Sequence, residues 1–419
     1  MILTEKLACG ARLLLEPVDT TDTLCIGFWF LHGSRDEGEG ERGYAHFLEH
    51  MVFKGTRRRS ALQIAQEIDR VGGLINAFTE KEITCVYVLL PKEHIRLAFD
   101  VLSDMSFCSV LDADEMGKEK AVVANEILAI EDSPEEKGHE RYLKGVWGSH
   151  PLARRITGET AEVEGIARNA LKEFYRARFA ADNAVVAVAG NFDPKEARGL
   201  SEEAFRTAPP RSAHLRRTLP EARRFTSFVP DRFTQVQIYA GTSYAVNREM
   251  EHYYTSLVFS TAFGESMSSR LFQCLRENLG LCYSVYSFRT FFSDCGQLTV
   301  YANATPMLAG RLLEALDREF ARAASQPVSA GEIADARSHL IGSMILSRED
   351  MESRMKRLVR QLLMIGRALE FEESVEMIKK VSREDTERFV SEYLRRDGFS
   401  LLVFGTRGIS SLRGFEFSF

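Results

Sequence analysis

His46, Glu49 and His50 fall within five residues of one another in the stretch GYAHFLEHMVFKGT, Gly43–Thr56. On a helix, side chains four apart stack on one face, so the two imidazoles can converge on a single metal ion. Glu49, one position before His50, sits beside such an ion without being needed as its ligand. A carboxylate there can act as a general base that takes a proton from an activated water. The flanking Phe47, Leu48, Met51, Val52 and Phe53 predict a buried helix, and burial lowers the dielectric around an ion. A lone histidine on an apolar face is usually a core residue. Two histidines and a glutamate on one apolar segment would be costly to bury without a common partner.

A hydrolytic zinc site uses three protein ligands and keeps one position open, so a third ligand has to come from another element. Ala113–Asp132 reads as a helix, with Val122, Val123, Ile127 and Ile130 at helical spacing. Glu119 and Glu126 are two turns apart on one face of it. Glu126, in the mostly apolar run VVANEIL, is the expected third ligand, and Glu119 the residue that orients a ligand or tunes the bound water. Taken singly, each glutamate reads equally well as an exposed helix residue.

The elements that must carry these side chains recur along the chain. A strand at 23–31 (TLCIGFWFL) matches one at 235–241 (QVQIYAG), and 84–91 matches 297–304. Helical segments follow at 93–105 and 307–324, and 170–191 resembles 385–406, all offset by roughly 210–217 residues. A constant offset over several elements predicts duplication of one α+β domain. The expected fold class is therefore α+β: two homologous domains, each a mixed or antiparallel sheet covered by helices. The expected boundaries are 1–208 for a metal-binding domain, 209–224 for a linker containing Pro209–Pro210, and 225–419 for the second domain. The charged stretch Glu131–Glu140 reads as a solvated loop or helix face.

At 419 residues the chain exceeds what one core usually supports. A net charge of −6 and a pI near 6.0 give no basic surface for nucleic acid. No run is long enough for a membrane span, and MILTEKLACGARLLLEP reads as a first β-hairpin rather than a signal peptide, which favours a cytoplasmic location. The seven cysteines are odd in number and contain no C-x-x-C pair, so free thiols are expected.

H-x-x-E-H at 46–50 with Glu126 lying 76 residues beyond His50 (126 − 50) resembles the insulinase/pitrilysin family of metallopeptidases, the inverzincins. The flanks HGSRDE (His32–Glu37) and HMVFKGT agree with that pattern. The resemblance implies one Zn²⁺ per chain on His46, His50 and Glu126, Glu49 as base and Glu119 in support. Gly72–Tyr87 resembles the family's edge strand, which implies that the main chain at Asn76 and Ala77 pairs with an extended substrate. Ser268–Ser287 resembles the family's C-terminal segment, which implies that Arg276 and Tyr283 grip substrate carbonyls and stabilise an oxyanion. Without the resemblance these two read as a surface helix residue and a sheet residue.

The likeness spans about 400 residues and fits the short, two-domain members, similar to bacterial relatives of mitochondrial processing peptidase. It implies a metalloendopeptidase acting on peptides or unfolded segments in a closed chamber. That chamber would be a homodimer in which Arg276 and Tyr283 come from the partner; a heterodimer with a related chain is the other arrangement. The competing readings are a non-catalytic family member serving as scaffold or partner subunit, a peptide-binding module that encloses chains without cutting them, and an amidase acting on small molecules.

Overall fold

Alternation of side chains across each strand builds the first sheet. In the computed structural model, which describes residues 1–213, 216–245 and 250–419, six strands form it. They are β1 (Leu3–Lys6), β2 (Arg12–Pro17), β3 (Thr23–Phe30), β4 (Leu74–Thr79), β5 (Thr84–Pro91) and β6 (Ala184–Gly190), in the order β1-β2-β6-β3-β5-β4. Only β2 and β6 pair in parallel. Leu24, Ile26, Phe28 and Phe30 of β3 enter one core with Phe99, Leu102 and Met105 of the helix Ile95–Cys108. Cys25 and Trp29 enter the core on the other face, against Met355, Leu358 and Val359 of the helix Met351–Ile365. Gly27 lies between them because there is no room for a side chain: a Cβ would stand 2.6 Å from the Trp29 indole nitrogen and 2.7 Å from the Met355 sulfur.

The second sheet repeats this plan. Its strands are β7 (Thr226–Pro230), β8 (Val236–Ala245), β9 (Val285–Phe291), β10 (Cys295–Ala304) and β11 (Phe399–Gly405), in the order β7-β11-β8-β10-β9. Here too one pair, β7 with β11, is parallel and the rest antiparallel. Strand for strand, β7-β11-β8-β10-β9 corresponds to β2-β6-β3-β5-β4. The α+β duplication expected from the offset is what the topology shows.

The compact units are not the contiguous halves of the sequence. One comprises Met1–Ala129, Arg154–Thr218 and Leu346–Glu370; the other Ile130–Ala153, Leu219–Ile345 and Phe371–Phe419. The helix Met351–Ile365, late in the sequence, covers the first sheet. The helix Pro134–Trp147, early in the sequence, covers the second, packing Tyr142, Val146 and Trp147 on Tyr239, Tyr301 and Phe404. A sheet apolar on both faces has to be covered on both. Amphipathic periodicity tells that a helix has a buried face, but not which sheet receives it. The segment 131–140 is accordingly not only a solvated face: Lys137 is buried, with Nζ 3.0 Å from Glu131 and 3.2 Å from Asp231.

The described part of 208–225 holds no helix or strand. Arg217 ties its earlier half to the first unit through paired 2.7 Å contacts with Asp36, and the Arg223 amide donates to the Val146 carbonyl in the second. β1 and β2 form the expected hairpin. All seven cysteines are free, with Cys25, Cys85 and Cys295 buried in strands. No helix among the described residues is long and apolar enough to cross a membrane.

Candidate metal centre

The histidine helix, Tyr44–Met51, begins at Gly43, whose φ of 79° is left-handed and whose Cβ, were there one, would meet the Thr157 carbonyl at 2.7 Å. No side chain at the cap position satisfies its first amides. Glu37 does so from outside the helix, accepting from Gly43 N at 3.1 Å and Ala45 N at 2.9 Å. Burial pushes the Glu37 carboxyl up to about 8, against the pull of those two amides and of Lys81 and Arg154. Phe47, Leu48 and Met51 are fully buried and fix the roll of the helix. His46 is then nearly buried and His50 partly so.

Among the described residues, one group of histidine, cysteine and carboxylate side chains has ligand atoms that converge. It is His46, His50 and Glu126, all within 4.8 Å of one another. His46 Nε2 and His50 Nε2 each lie 3.5 Å from an oxygen of Glu126. Bond lengths of about 2.0–2.1 Å in a tetrahedron would separate ligand atoms by roughly 3.3–3.4 Å, near the 3.5 Å from His46 to Glu126 Oε1 and from His50 to Oε2. On its far side His50 Nδ1 lies 3.0 Å from Glu119 Oε2, and the other Glu119 oxygen is 2.5 Å from Lys54 Nζ. Glu119 accepts the proton of His50 Nδ1, so Nε2 is the nitrogen turned toward Glu126, and on losing its own proton it would offer a lone pair to a metal there.

The apolar run around Glu126 suggests a buried carboxylate, but it is Glu119 that is buried. Glu119 is buried, at 4% exposure, whereas the Glu126 side chain is 42% exposed. Val123 and Ile127 form the buried face of Ala113–Asp132, and Val122 lies outside it, at 47% exposure. The apolar run around Glu126 therefore does not enclose it.

The charges respond to the convergence. Hydrogen bonds from His46 first and His50 next hold the Glu126 carboxyl far below the usual range. Burial pulls His50 down, but Glu126 and Glu119 outweigh it and the imidazole titrates above its usual value. Two buried atoms at the site have no hydrogen-bond partner among the described residues: His46 Nδ1 and Glu49 Oε2. An unpartnered carboxylate oxygen beside a cluster of nitrogen and oxygen ligands fits a group that has to meet a water and its proton. On this chemistry and spacing, the donor set fits a zinc ion.

Asn76 and Ala77 lie on β4, the edge strand, in register with Tyr87 and Val86 of β5. The histidine helix packs on this strand, with Thr79 Oγ1 donating to the Ala45 carbonyl at 3.5 Å. In the second unit Arg276 lies in the helical turn Phe272–Asn278 and Tyr283 just before β9. The Arg276 guanidinium stands 5.3 Å from the Tyr283 ring centre and 4.7 Å from that of Phe272, and Tyr283 is 75% exposed. The two thus form one local pair with an open aromatic face.

In the sequence Glu37 and Lys54 stand only as flanks of the motif, with no role legible in either. The signal was present in HGSRDE and HMVFKGT, but nothing in the spacing says that one caps the helix and the other neutralises Glu119.

Known proteins share this organisation. Residues 12–160 match the family described as "Insulinase (Peptidase family M16)", and residues 165–340 match "Peptidase M16 inactive domain". An "Uncharacterized zinc protease" of Mycobacterium leprae is 35% identical over 395 residues, covering 92% of this chain and 88% of its own. One of Bacillus subtilis is 33% identical over 375 residues, covering 90% and 91%. Among solved structures, a "protease from Helicobacter pylori" superposes with a TM-score of 0.89 at 18% identity, covering 96% of this chain and 99% of its own. A chain of "Complex III2 from Candida albicans" does so with a TM-score of 0.83 at 15% identity, covering 100% and 98%. From the matched families and these full-length likenesses, the chain belongs to the insulinase family of peptidases, peptidase family M16.

Proposed function

We propose that the chain is a zinc metalloendopeptidase that cleaves peptides or unfolded segments. The observation that carries this reading is the convergence of His46, His50 and Glu126 beside the unpartnered oxygen of Glu49. His46, His50 and Glu126 would hold one zinc ion, which when bound supplies a Lewis acid that acidifies water and polarises a carbonyl. Glu119, with Lys54 behind it, keeps the His50 proton on Nδ1. Glu49 accepts a proton from the attacking water and passes it to the leaving amine, so that the peptide C–N bond breaks with net addition of water. The outer edge of β4 at Asn76 and Ala77 holds the substrate main chain as an added strand, which tolerates many sequences; the Ala77 amide, which donates to Asn76 Oδ1 at 2.8 Å, has to exchange that partner for the substrate.

Arg276 and Tyr283 donate to the developing oxyanion. In this reading they act on the metal site of a second copy, within a homodimer that encloses the substrate. The pair is supported by its proximity and by the exposure of Tyr283. Wild-type protein should cleave a mixture of unstructured peptides, stop on chelation and resume with zinc. A sample that binds zinc but cleaves nothing points instead to a non-catalytic scaffold or partner subunit. The shared site is tested by mixing Glu49→Gln with Arg276→Ala. Each alone should be inactive, and the mixture should recover activity because one of the two sites is whole again. No recovery on mixing, with subunit exchange verified, would remove the shared arrangement.

A further inference from the structure

A cavity of about 540 Å³ lies within the first unit, away from the histidine helix's ligand face. Its wall is formed by Arg57, the end of the helix Ile95–Cys108, the helix Arg168–Arg178 and the turn at 207–209. Arg57, Arg168, Lys172 and Arg176 line it, and no carboxylate does. Arg168 is spent on the chain, donating to the Leu111 carbonyl at 2.6 Å and the Val110 carbonyl at 3.1 Å. The side chains of Arg57, Lys172 and Arg176 have no hydrogen bond or ion pair among the described residues. The neighbouring Arg58 and Arg59, by contrast, are neutralised by Asp100 and Asp104. Three unneutralised cations around one concavity repel one another and focus a positive potential into it.

A second observation is independent of charge. Ser106 lines the same cavity and is fully buried, yet its hydroxyl has no partner. A buried hydroxyl left unpaired costs free energy that a ligand oxygen would recover. The neighbouring Tyr175 hydroxyl does not serve it: it donates to the Ser106 carbonyl at 2.8 Å and accepts from the Ser109 amide at 3.3 Å. Guanidinium forks, an ammonium and a hydroxyl are the donor set that recognises phosphoryl oxygens. The volume suits a small molecule and is too small for a folded partner.

We infer that this cavity is a binding site for a small phosphate-bearing anion, held by Arg57, Lys172, Arg176 and Ser106. The site adjoins the exit of the histidine helix: the Arg57 amide donates to the Cys108 carbonyl at 3.2 Å, and Ser109 Oγ to the Met51 carbonyl at 3.3 Å. An anion that draws Arg57 toward Ser106 therefore braces the segment that ends that helix. The inference stands on the cavity alone and does not depend on the peptidase reading.

The full chain, stripped of metal so that no zinc competes for the anions, is titrated with inorganic phosphate, pyrophosphate and ATP at constant ionic strength, by calorimetry and thermal unfolding. The expected result is saturable binding of one anion per chain, tighter for pyrophosphate than for phosphate, with a raised melting temperature. ATP binding more tightly than pyrophosphate would assign the nearby Phe107 to a base, and equal binding would assign the site to the phosphoryl groups alone; both support the site. Arg57→Gln and Arg176→Gln, at exposed positions, should each weaken binding by about 10-fold, the worth of a charge-assisted hydrogen bond. Ser106→Ala should weaken it while leaving the unliganded melting temperature the same or higher, since an unpaired buried hydroxyl is removed. No saturation up to about 10 mM, or equal affinity in the arginine variants, would overturn the inference. So would a stabilisation that chloride reproduces at the same ionic strength.

Discussion

Replacing Glu119 by glutamine isolates what the buried carboxylate does for the metal ligands. Glu119 is 4% exposed and touches His50 Nδ1 at 3.0 Å and Lys54 Nζ at 2.5 Å. Glutamine has the same shape and still offers an oxygen to the His50 N–H, so the ring should keep its orientation, while Lys54 Nζ, facing an amide NH2, has to turn away to water. What disappears is the negative charge that makes His50 a stronger donor through Nε2. A charge-assisted hydrogen bond contributes about 1.5–3 kcal/mol and a neutral one about 1, so the loss at His50 is roughly 1–2 kcal/mol. Replacing the outer partner of a ligating histidine typically lowers metal affinity by about 10–100-fold, which agrees with that range. Zinc affinity is read by competition with a chromophoric chelator near neutral pH, while circular dichroism monitors the fold. A drop of about 10–100-fold with an intact fold is predicted. Affinity within about 3-fold of wild type would refute the argument that this contact supports the site, and a loss equal to that of His50→Ala would show that glutamine had displaced the ring.

Other consequences follow from the same geometry. In the metal-free protein, Glu126 is held below its ordinary 4.5 and His50 above its ordinary 6.5. Stability from Glu126 is present above 4.5 and lost as pH falls through its folded value; stability from His50 is present below 6.5 and lost as pH rises through its folded value. The contribution of these two groups to the stability of metal-free protein, read as the melting-temperature difference between wild type and His50→Gln across pH, should therefore peak between those two ordinary values, and zinc affinity should fall as acid protonates His50. Gly27→Ala forces a methyl against Trp29 and Met355 and should cost about 1–3 kcal/mol in denaturant unfolding, with little effect on zinc affinity. Tyr283→Phe should lower kcat/KM by about 100–1,000-fold while zinc content stays unchanged.

How much of this was legible in the sequence depends on whether a feature is local. The pair His46 and His50 is a helix spacing, and the duplicated sheets are an offset between strands; both are read along the chain. Glu126 was reachable because it is two turns from Glu119 on one helix. The partner of each sheet's outer face was not, since Met351–Ile365 and Pro134–Trp147 are amphipathic whichever sheet they cover. The roles of Glu37 and Lys54 were hidden for the same reason. A carboxylate that caps a helix several residues downstream, or a lysine that neutralises a glutamate on another helix, leaves no periodic trace. The exposure of Glu126 is not legible in its apolar run, because the helix turns Val122 outward and Val123 inward.

The central claim is that His46, His50 and Glu126 hold a zinc ion at which Glu49 moves the proton. It is tested most directly by zinc content and peptide turnover measured on the same samples of wild-type and Glu49→Gln protein. The account predicts about one zinc per chain in both, with turnover of unstructured peptides lowered by about 100–10,000-fold in the variant. Turnover unchanged by Glu49→Gln, or wild-type protein that takes up no zinc, would contradict it.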